Sequence, residues 1–186
     1  IASHSRPNMK HVISIFAAGS NCVLVLSMAP LILQGYTIQL PLFTVLPGLE
    51  FGFMVDSLGM IFASVSSLLW VAAAIYSIGY MRSLKEKSQS RFFACFATSL
   101  AAAIGGAFSA NLFTLVIFYE VLSLVTYPLV YHKENTDSWL GSKKYLVYLV
   151  GASKTFLLAA LALTFAVTGS LNFDSGGIFN EINASP

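Results

Sequence analysis

Charged side chains are scarce in this chain. Asp, Glu, Lys and Arg make up 10% of its 186 residues, whereas soluble domains average about 25%. Hydrophobic residues make up 56% of the chain. The shortage of charge excludes an ordinary soluble domain, and a formal net charge of only +2 provides no basic surface for nucleic acid. We therefore expect an integral membrane protein that contacts the lipid bilayer and binds no nucleic acid.

Motifs for cofactors and catalysis are also missing. The two cysteines, Cys22 and Cys95, have neither CxxC spacing nor a neighbouring His cluster, so we interpret both as small core residues. The sequence contains no phosphate-binding glycine loop, no metal-ligand cluster and no Ser, His and acid constellation on its polar segments. It therefore predicts no cofactor, no metal and no catalytic residue, and it gives no indication that the chain is an enzyme by itself.

Long apolar segments predict five transmembrane helices. About 20 apolar residues in a helix cross a hydrocarbon core of about 30 Å. The predicted spans are residues 11–33, 56–80, 92–108, 110–131 and 144–168. Residues 36–54 contain Pro41 and Pro47 and partly alternate in polarity, which predicts a short extended hairpin at the membrane surface. The predicted fold class is all-α integral membrane with this single hairpin.

Polar residues mark several of the expected boundaries. Asp56 directly precedes the second span and is expected to be its N-cap. Pro30 is expected to end or kink the first span. Residues 133–142 are expected to form a loop before the fifth span.

The chain begins at Ile1 rather than Met and ends after a polar tail, which we interpret as a fragment of a longer membrane protein.

Lys and Arg lie almost entirely on one side of the predicted spans. Nine of the ten fall at the N-terminus, after the second span or around the start of the fifth span, and the opposite loops have none. The positive-inside rule then predicts that this multi-pass protein has its N-terminus in the cytoplasm and its C-terminus outside. The expected membrane is the bacterial inner membrane. The tenth basic residue, Lys154, lies within a span.

Glu120 lies at the midpoint of the apolar run Ala110–His132. An ionisable group at this depth costs roughly 2.5 to 3.5 kcal/mol or more, and it is normally placed beside a partner or a water-filled cavity. Ser123 and Tyr127 follow at i+3 and i+7, on the same face of the helix. This pattern favours a proton or ion path. The alternative is a neutral carboxyl group that is hydrogen-bonded to a neighbouring helix.

Lys154 lies about ten residues, or about 15 Å, into the fifth span, too deep for easy snorkelling. An ion pair with Glu120 is one interpretation, because the fourth and fifth spans are antiparallel. Lys154 facing another subunit or a hydrated cavity is a second, and a lipid-facing lysine is a third. Nearer the cytoplasm, Lys143 and Lys144 either anchor the fifth span or take up protons. His132 either relays protons or caps the fourth helix.

Four segments resemble the proton-translocating antiporter-type subunits. They are FGFMVDSLGMIF at Phe51–Phe62, YSIGYM at Tyr76–Met81, ANLFTLVIFYEVLSLVTYPLV at Ala110–Val130 and GSLNF at Gly169–Phe173. This family comprises the subunits of the Mrp cation/proton antiporters, above all those of the D type, and the homologous membrane-arm subunits of respiratory complex I and membrane-bound hydrogenases. The resemblance extends from about residue 50 to residue 175.

The resemblance implies a larger helix bundle, of which this chain would hold roughly the second to the sixth helix. It implies that Glu120 is the buried glutamate that is essential for proton translocation in this family. In the family this glutamate is paired with a lysine on a broken helix, which is expected after residue 186. Lys144 stands where these proteins often have a lysine, whereas Lys154 matches no lysine of the family. Tyr119 stands where these proteins usually have Trp, and Ala110 precedes Asn111 where Asp is common, which leaves the branch of the family open.

We therefore expect residues 1–186 to form one membrane domain that is part of a larger helix bundle. Within it we expect a first span and outer loop at residues 1–50, a core that resembles the family at residues 51–175 and a tail at residues 176–186. The leading hypothesis is a subunit of a monovalent cation/proton antiporter, for Na⁺ or K⁺, in a complex with other membrane subunits. The alternative is a proton-pumping membrane-arm subunit of an NADH-quinone oxidoreductase or hydrogenase. The third hypothesis is a helix bundle that serves as a scaffold and conducts no ions.

Overall fold

The computed structural model describes residues 7–84, 88–173 and 177–179. Within them the elements are α1 (Pro7–Leu33), β1 (Ile38–Leu46), β2 (Leu49–Val55), α2 (Ser57–Ser83), α3 (Gln89–Ala107), α4 (Leu112–Val130), α5 (Thr136–Ala152) and α6 (Leu158–Thr168). A π-helical turn, Ser153–Leu157, joins α5 to α6, so that Thr136–Thr168 is one continuous helical rod.

Among the residues that the structure describes, five helices, with the α5–α6 rod counted as one, are long and apolar enough to cross a membrane. Many of their large apolar side chains are exposed on the outer faces, including Phe16, Leu58 and Phe156. Such faces suit lipid or further apolar helices better than water, because a soluble protein rarely leaves so much contiguous apolar surface uncovered. The predicted all-α membrane fold with five spans and one hairpin is confirmed.

The predicted start of the fifth span is wrong. Residues expected to form a loop before Lys144 are mostly helical, because α5 begins at Thr136. Asn135 and Ser138 form a capping box, in which the Asn135 side chain accepts from the Ser138 N–H at 2.7 Å and Ser138 Oγ accepts from the Asn135 N–H at 3.0 Å. The 33-residue rod is about 50 Å long and therefore exceeds a hydrocarbon core of about 30 Å.

The other two helix-boundary predictions have different outcomes. Asp56 is the N-cap of α2, as predicted, and its Oδ1 accepts the Gly59 N–H at 2.7 Å. Pro30 does not end α1, which continues to Leu33. Because Pro30 lies in the last turn, its missing N–H costs only one hydrogen bond near the end of the helix.

The predicted hairpin is present and closes through Pro47 and Gly48. Leu46 pairs with Leu49, and Gly48 has a φ of +82°, which suits the third position of a type II turn with proline before it. A register shift follows Pro41, at a place where a strand tolerates a residue without an N–H. A Cβ on Gly48 would lie 2.7 Å from the Gly169 carbonyl oxygen, so the hairpin tip packs closely against the segment after α6.

The core lies among α1, α2, α3 and the hairpin, where two buried clusters form. Their buried members are Val25, Ile32, Val55, Met60, Ala63, Ile104 and Phe108 in the first and Ala18, Trp70 and Ala74 in the second. Cys22 is buried and Cys95 half-buried, and neither forms a disulfide. The helix α4 packs against α3, and the α5–α6 rod packs against α4.

Gly105 permits a close approach of α3 to α4. An ideal Cβ at this position would lie 2.6 Å from Cδ1 and 2.7 Å from Cζ of Phe118. At the adjacent Gly106 the corresponding Cβ would lie 3.7 Å from the Cβ of Phe118, which is an ordinary contact. Since Phe118 is two residues before Glu120, this crossing helps to fix the part of α4 that carries the carboxylate.

We expect Gly105→Ala to lower the free energy of unfolding by about 1 to 3 kcal/mol, because the Phe118 ring must shift to admit a methyl group. Gly106→Ala is the matched control and should be neutral or stabilising, since alanine favours a helix over glycine by up to about 1 kcal/mol. Thermal unfolding in detergent micelles measures both effects. Equal losses in the two variants would contradict the proposed close approach.

Candidate functional site

A polar junction around Asn111 fixes the start of α4. Asn111 is 2% exposed; its Oδ1 accepts the Thr114 N–H at 2.8 Å, and its Nδ2 donates to the Glu50 carbonyl at 2.7 Å. The Gly52 N–H in turn donates to Thr114 Oγ1 at 3.2 Å. These bonds cap α4 and attach it to the hairpin. They set the origin of the helix on which Glu120 lies about 13 Å further along.

Glu120 and Lys154 form an ion pair between α4 and the π-helical turn. The Nζ of Lys154 lies 3.1 Å from Oε2 of Glu120. The Glu120 side chain is 16% exposed and the Lys154 side chain 52% exposed. Of the three interpretations left open for Lys154, the ion pair is the one that the structure shows. The exposed half of this lysine still lies at the surface of the described residues.

The two carboxylate oxygens of Glu120 differ in their surroundings. Oε2 is held by the Lys154 ammonium, whereas Oε1 is buried and has no hydrogen-bond partner within the described residues. Buried side-chain oxygens in native proteins nearly always have a partner, so an exception calls for a physical explanation. Oε1 is therefore the oxygen of this pair that can accept a proton or a hydrogen bond from outside the pair.

Lys154 reaches Glu120 from a widened helical turn. In Ser153–Leu157 the hydrogen bonding is of the π type, and the N–H of Leu158 donates to the carbonyl of Ser153, five residues earlier. Single π turns within α-helices are rare and occur frequently at functional sites. No feature of the sequence predicted this turn, because apolar periodicity over five residues does not distinguish it from an α-helix.

Ser123 and Tyr127, the predicted hydroxyl path, follow Glu120 along α4. Ser123 is buried, and its Oγ donates to the Tyr119 carbonyl at 2.8 Å. Tyr127 is half-buried one turn further on. Within the described residues, no direct hydrogen bond joins either hydroxyl to the Glu120 carboxylate. Their role in a path stays a prediction.

A second polar contact between α4 and α5 was missed from the sequence. The hydroxyl oxygens of Thr126 and Tyr145 lie 2.5 Å apart, and Thr126 Oγ1 is also 2.9 Å from the Leu122 carbonyl. Because Thr126 gives its single hydrogen to that carbonyl, Tyr145 donates to Thr126. Thr126 is six residues, or about 9 Å, beyond Glu120 and about a third of a turn away from it around α4.

The remaining predicted residues, Lys144 and His132, lie away from the ion pair. Lys144 is exposed on α5, about 15 Å from Lys154 along the rod. His132 follows the end of α4, where its carbonyl accepts from Arg91 Nη2 at 3.4 Å. The structure thus brings Glu120 and Lys154 together and leaves Lys144 and His132 at the basic end of the helices.

A groove of about 700 Å³ lies between α2, α3 and α4, beside the site rather than at it. Its walls include Leu58, Phe62, Leu115, Phe118 and Tyr119 and are mostly apolar. The groove therefore provides no polar route to the carboxylate of the ion pair. Among the described residues, no group of three or more His, Cys, Asp or Glu side chains could hold a metal ion.

Two family models match the chain. One, described as NADH-ubiquinone oxidoreductase (complex I), chain 5 N-terminus, matches residues 47–93. The other, described as NADH:quinone oxidoreductase/Mrp antiporter, TM, matches residues 109–183. The second match contains both Glu120 and Lys154, so the ion pair lies within the matched region.

Individual relatives come from both kinds of complex. The chain is 28% identical to the D-type subunit of the Na⁺/H⁺ antiporter of Bacillus subtilis, covering 63% of this chain and 23% of the relative. It is 30% identical to the NAD(P)H-quinone oxidoreductase subunit 5 of the Paulinella chromatophora chromatophore, covering 67% of this chain and 18% of the relative. The chain thus spans less than a quarter of the length of these relatives.

The solved structure of an Mrp complex from a Dietzia species contains a similar fold. The alignment has a TM-score of 0.75 at 21% identity and covers 92% of this chain and 32% of that chain. At this identity the likeness establishes the arrangement of helices and hairpin, and it does not identify a shared activity.

We expect Tyr145→Phe to lower the free energy of unfolding by about 0.5 to 1.5 kcal/mol, because only the hydroxyl bonded to Thr126 is lost. Tyr148→Phe removes the same atom from a side chain that is 75% exposed and should change stability by less than about 0.5 kcal/mol. Thermal unfolding of the two purified variants in detergent compares them directly. If Tyr148→Phe proved as costly as Tyr145→Phe, the α4–α5 link would have no special role.

Proposed function

Because the chain belongs to the family of proton-translocating antiporter-type membrane subunits, we propose that it is part of a monovalent cation/proton antiporter of the Mrp D type and that protons cross by way of Glu120. The observation that carries this proposal is the Glu120–Lys154 ion pair, in which a carboxylate among membrane-spanning helices keeps one buried oxygen without a partner among the described residues.

The pair offers two states that differ by one proton. With Glu120 ionised, the ammonium and the carboxylate attract each other and offset the cost of burying the charge. When a proton binds Glu120, the carboxyl group becomes neutral and the attraction to Lys154 weakens. Loss of the proton restores the pair. A site that alternates between these states can accept a proton from one side and release it to the other.

The proposed route runs along α4 toward the basic end of the helices. Ser123 and Tyr127 lie along this course, and Lys144 and His132 lie near its mouth. The distribution of Lys and Arg supports a cytoplasmic location for this end, in a bacterial inner membrane, with the N-terminus inside and the C-terminus outside. Na⁺ or K⁺ is the proposed exchanged cation, and the antiporter relatives support membrane partners because they are themselves subunits.

A proton-pumping membrane-arm subunit of an NADH-quinone oxidoreductase or a membrane-bound hydrogenase is the second candidate. The match to the complex I chain 5 model and the 30% identity to an NAD(P)H-quinone oxidoreductase subunit favour it. Glu120 would again be the proton-binding group, and the redox reaction would be carried out by other chains.

We expect Glu120→Gln to lower cation-dependent proton flux by roughly 100-fold or more, because glutamine has a similar shape but cannot accept a proton. The measurement uses the complete membrane complex reconstituted in vesicles. Glu50→Gln is the matched control, since it makes the same chemical change on an exposed side chain of the hairpin and should leave flux unchanged. Normal flux from Glu120→Gln present in normal amount would contradict the proposal.

The two candidate complexes differ in what drives the flux. For the antiporter, we expect an imposed Na⁺ or K⁺ gradient alone to move protons in vesicles that contain neither NADH nor quinone. For the membrane-arm candidate, proton movement should require an electron donor and acceptor and should not respond to the cation gradient. Recording vesicle pH under both conditions distinguishes the two functions.

A further inference from the structure

We infer that Lys154 is a positioning residue for proton transfer: its ammonium holds Oε2 of Glu120, and Oε1 is the atom that accepts the proton. The inference rests on the proposed function of Glu120 and adds a second residue to it. Lys154 matches none of the lysines that the family resemblance implies, so the assignment depends on the geometry of this chain alone.

The two oxygens of the Glu120 carboxylate make unequal contacts in the ion pair. An ammonium group has three N–H donors, and the 3.1 Å contact directs one of them to Oε2. Oε1 is buried and has no partner within the described residues. A proton can therefore bind Oε1 without displacing the ammonium. When a hydronium ion delivers the proton, its O–H bond breaks, the Oε1–H bond forms and water is released; the carboxylate becomes a carboxylic acid and Lys154 keeps its own proton.

A helix irregularity directs Lys154 toward Glu120. Lys154 occupies the second position of the π turn, and the hydroxyl of Thr155 donates to the Gly151 carbonyl at 2.7 Å, just before the widened turn. Such side-chain bonds to the preceding turn locally bend helices. The turn changes the rotation of the rod where it faces Glu120, so the backbone itself places the lysine at the carboxylate.

Lys154 differs in its contacts from the other lysines on and beside the rod whose side chains are described. Lys143 lies over the Trp139 ring at 4.5 Å, and Lys133 and Lys144 are exposed at the basic end. Within the described residues, only Lys154 among these contacts a carboxylate. A snorkelled lysine would direct its ammonium to the membrane surface, whereas this one lies against Glu120.

We expect Lys154→Met in the complete complex to lower cation-dependent proton flux by about tenfold to 100-fold, the range produced by misplacing a reacting group. Lys154→Arg should retain most of the flux, because the guanidinium keeps the charge and the hydrogen bond. Lys133→Met removes a lysine outside the site and serves as the matched control, with flux equal to that of the unmodified complex.

A spectroscopic readout distinguishes positioning from a general loss of structure. We expect Lys154→Met to show the infrared C=O stretch of a protonated carboxyl group, because a carboxylate without its ammonium in apolar surroundings takes up a proton. The band is assigned to Glu120 if it disappears in the double variant Glu120→Gln, Lys154→Met. The unmodified complex at neutral pH and Lys154→Arg should lack this band.

The outcomes separate this inference from the proposed function. Normal flux in Lys154→Met with lost flux in Glu120→Gln overturns the role of Lys154 and leaves that of Glu120 intact. Normal flux in Glu120→Gln overturns the proposed function itself. Lost flux in Lys154→Met without the carboxyl band also overturns positioning. If Lys154→Met does not fold, the double variant Glu120→Lys, Lys154→Glu tests the contact instead. A thermal stability above that of either single variant supports the contact between the two side chains. A stability no higher than that of the single variants overturns the contact and, with it, the role of Lys154.

Discussion

The Glu120–Lys154 ion pair is the interaction on which the placement of the α5–α6 rod depends. The rod packs against α4 and leaves most of its apolar side chains exposed, so few buried contacts fix its rotation. Glu120 is 16% exposed, so removing the ammonium of Lys154 would leave a largely shielded carboxylate without its compensating charge. The pair and the Thr126–Tyr145 hydroxyl contact therefore determine together which face of the rod meets α4.

The two partners of this pair are held in different ways. Glu120 lies on a regular α-helix whose start is tied to the hairpin by Asn111, Thr114 and the carbonyl of Glu50. Lys154 lies on a π turn, where the backbone departs from the α-helical pattern of the rod. The carboxylate thus has a fixed position along its helix, and the local irregularity is confined to the side that carries the ammonium.

The sequence predicts those features that depend on composition or on neighbouring residues. Apolar runs identified the spans, Asp56 identified a helix start, and Pro41 and Pro47 indicated the hairpin. The start of α5 was mispredicted because its polar first turns were interpreted as a loop. The Asn135 and Ser138 capping signal was nevertheless present in the sequence.

Features that depend on the rotation of one helix against another could be predicted only in part. The position of Lys154 within a long apolar helix followed from the sequence, but three different surroundings were compatible with that position. The π turn and the mutual rotation of α4 and the rod selected Glu120. The same mutual rotation of α4 and the rod brings the Tyr145 hydroxyl to Thr126, although Thr126 lies outside the predicted hydroxyl stripe of α4.

The geometry of Glu120 also bears on which ion it binds. A proton needs only one oxygen lone pair, and Oε1 supplies one without disturbing the contact between Oε2 and Lys154. Hard metal cations are instead held by several oxygen ligands at once. Within the described residues, no cluster of acidic, His or Cys side chains surrounds this carboxylate, and an ammonium already lies beside it. Beside this ammonium a metal cation would need several further oxygen ligands, whereas a proton forms a single covalent O–H bond with Oε1. The site therefore suits a proton better than the cation proposed to exchange with it.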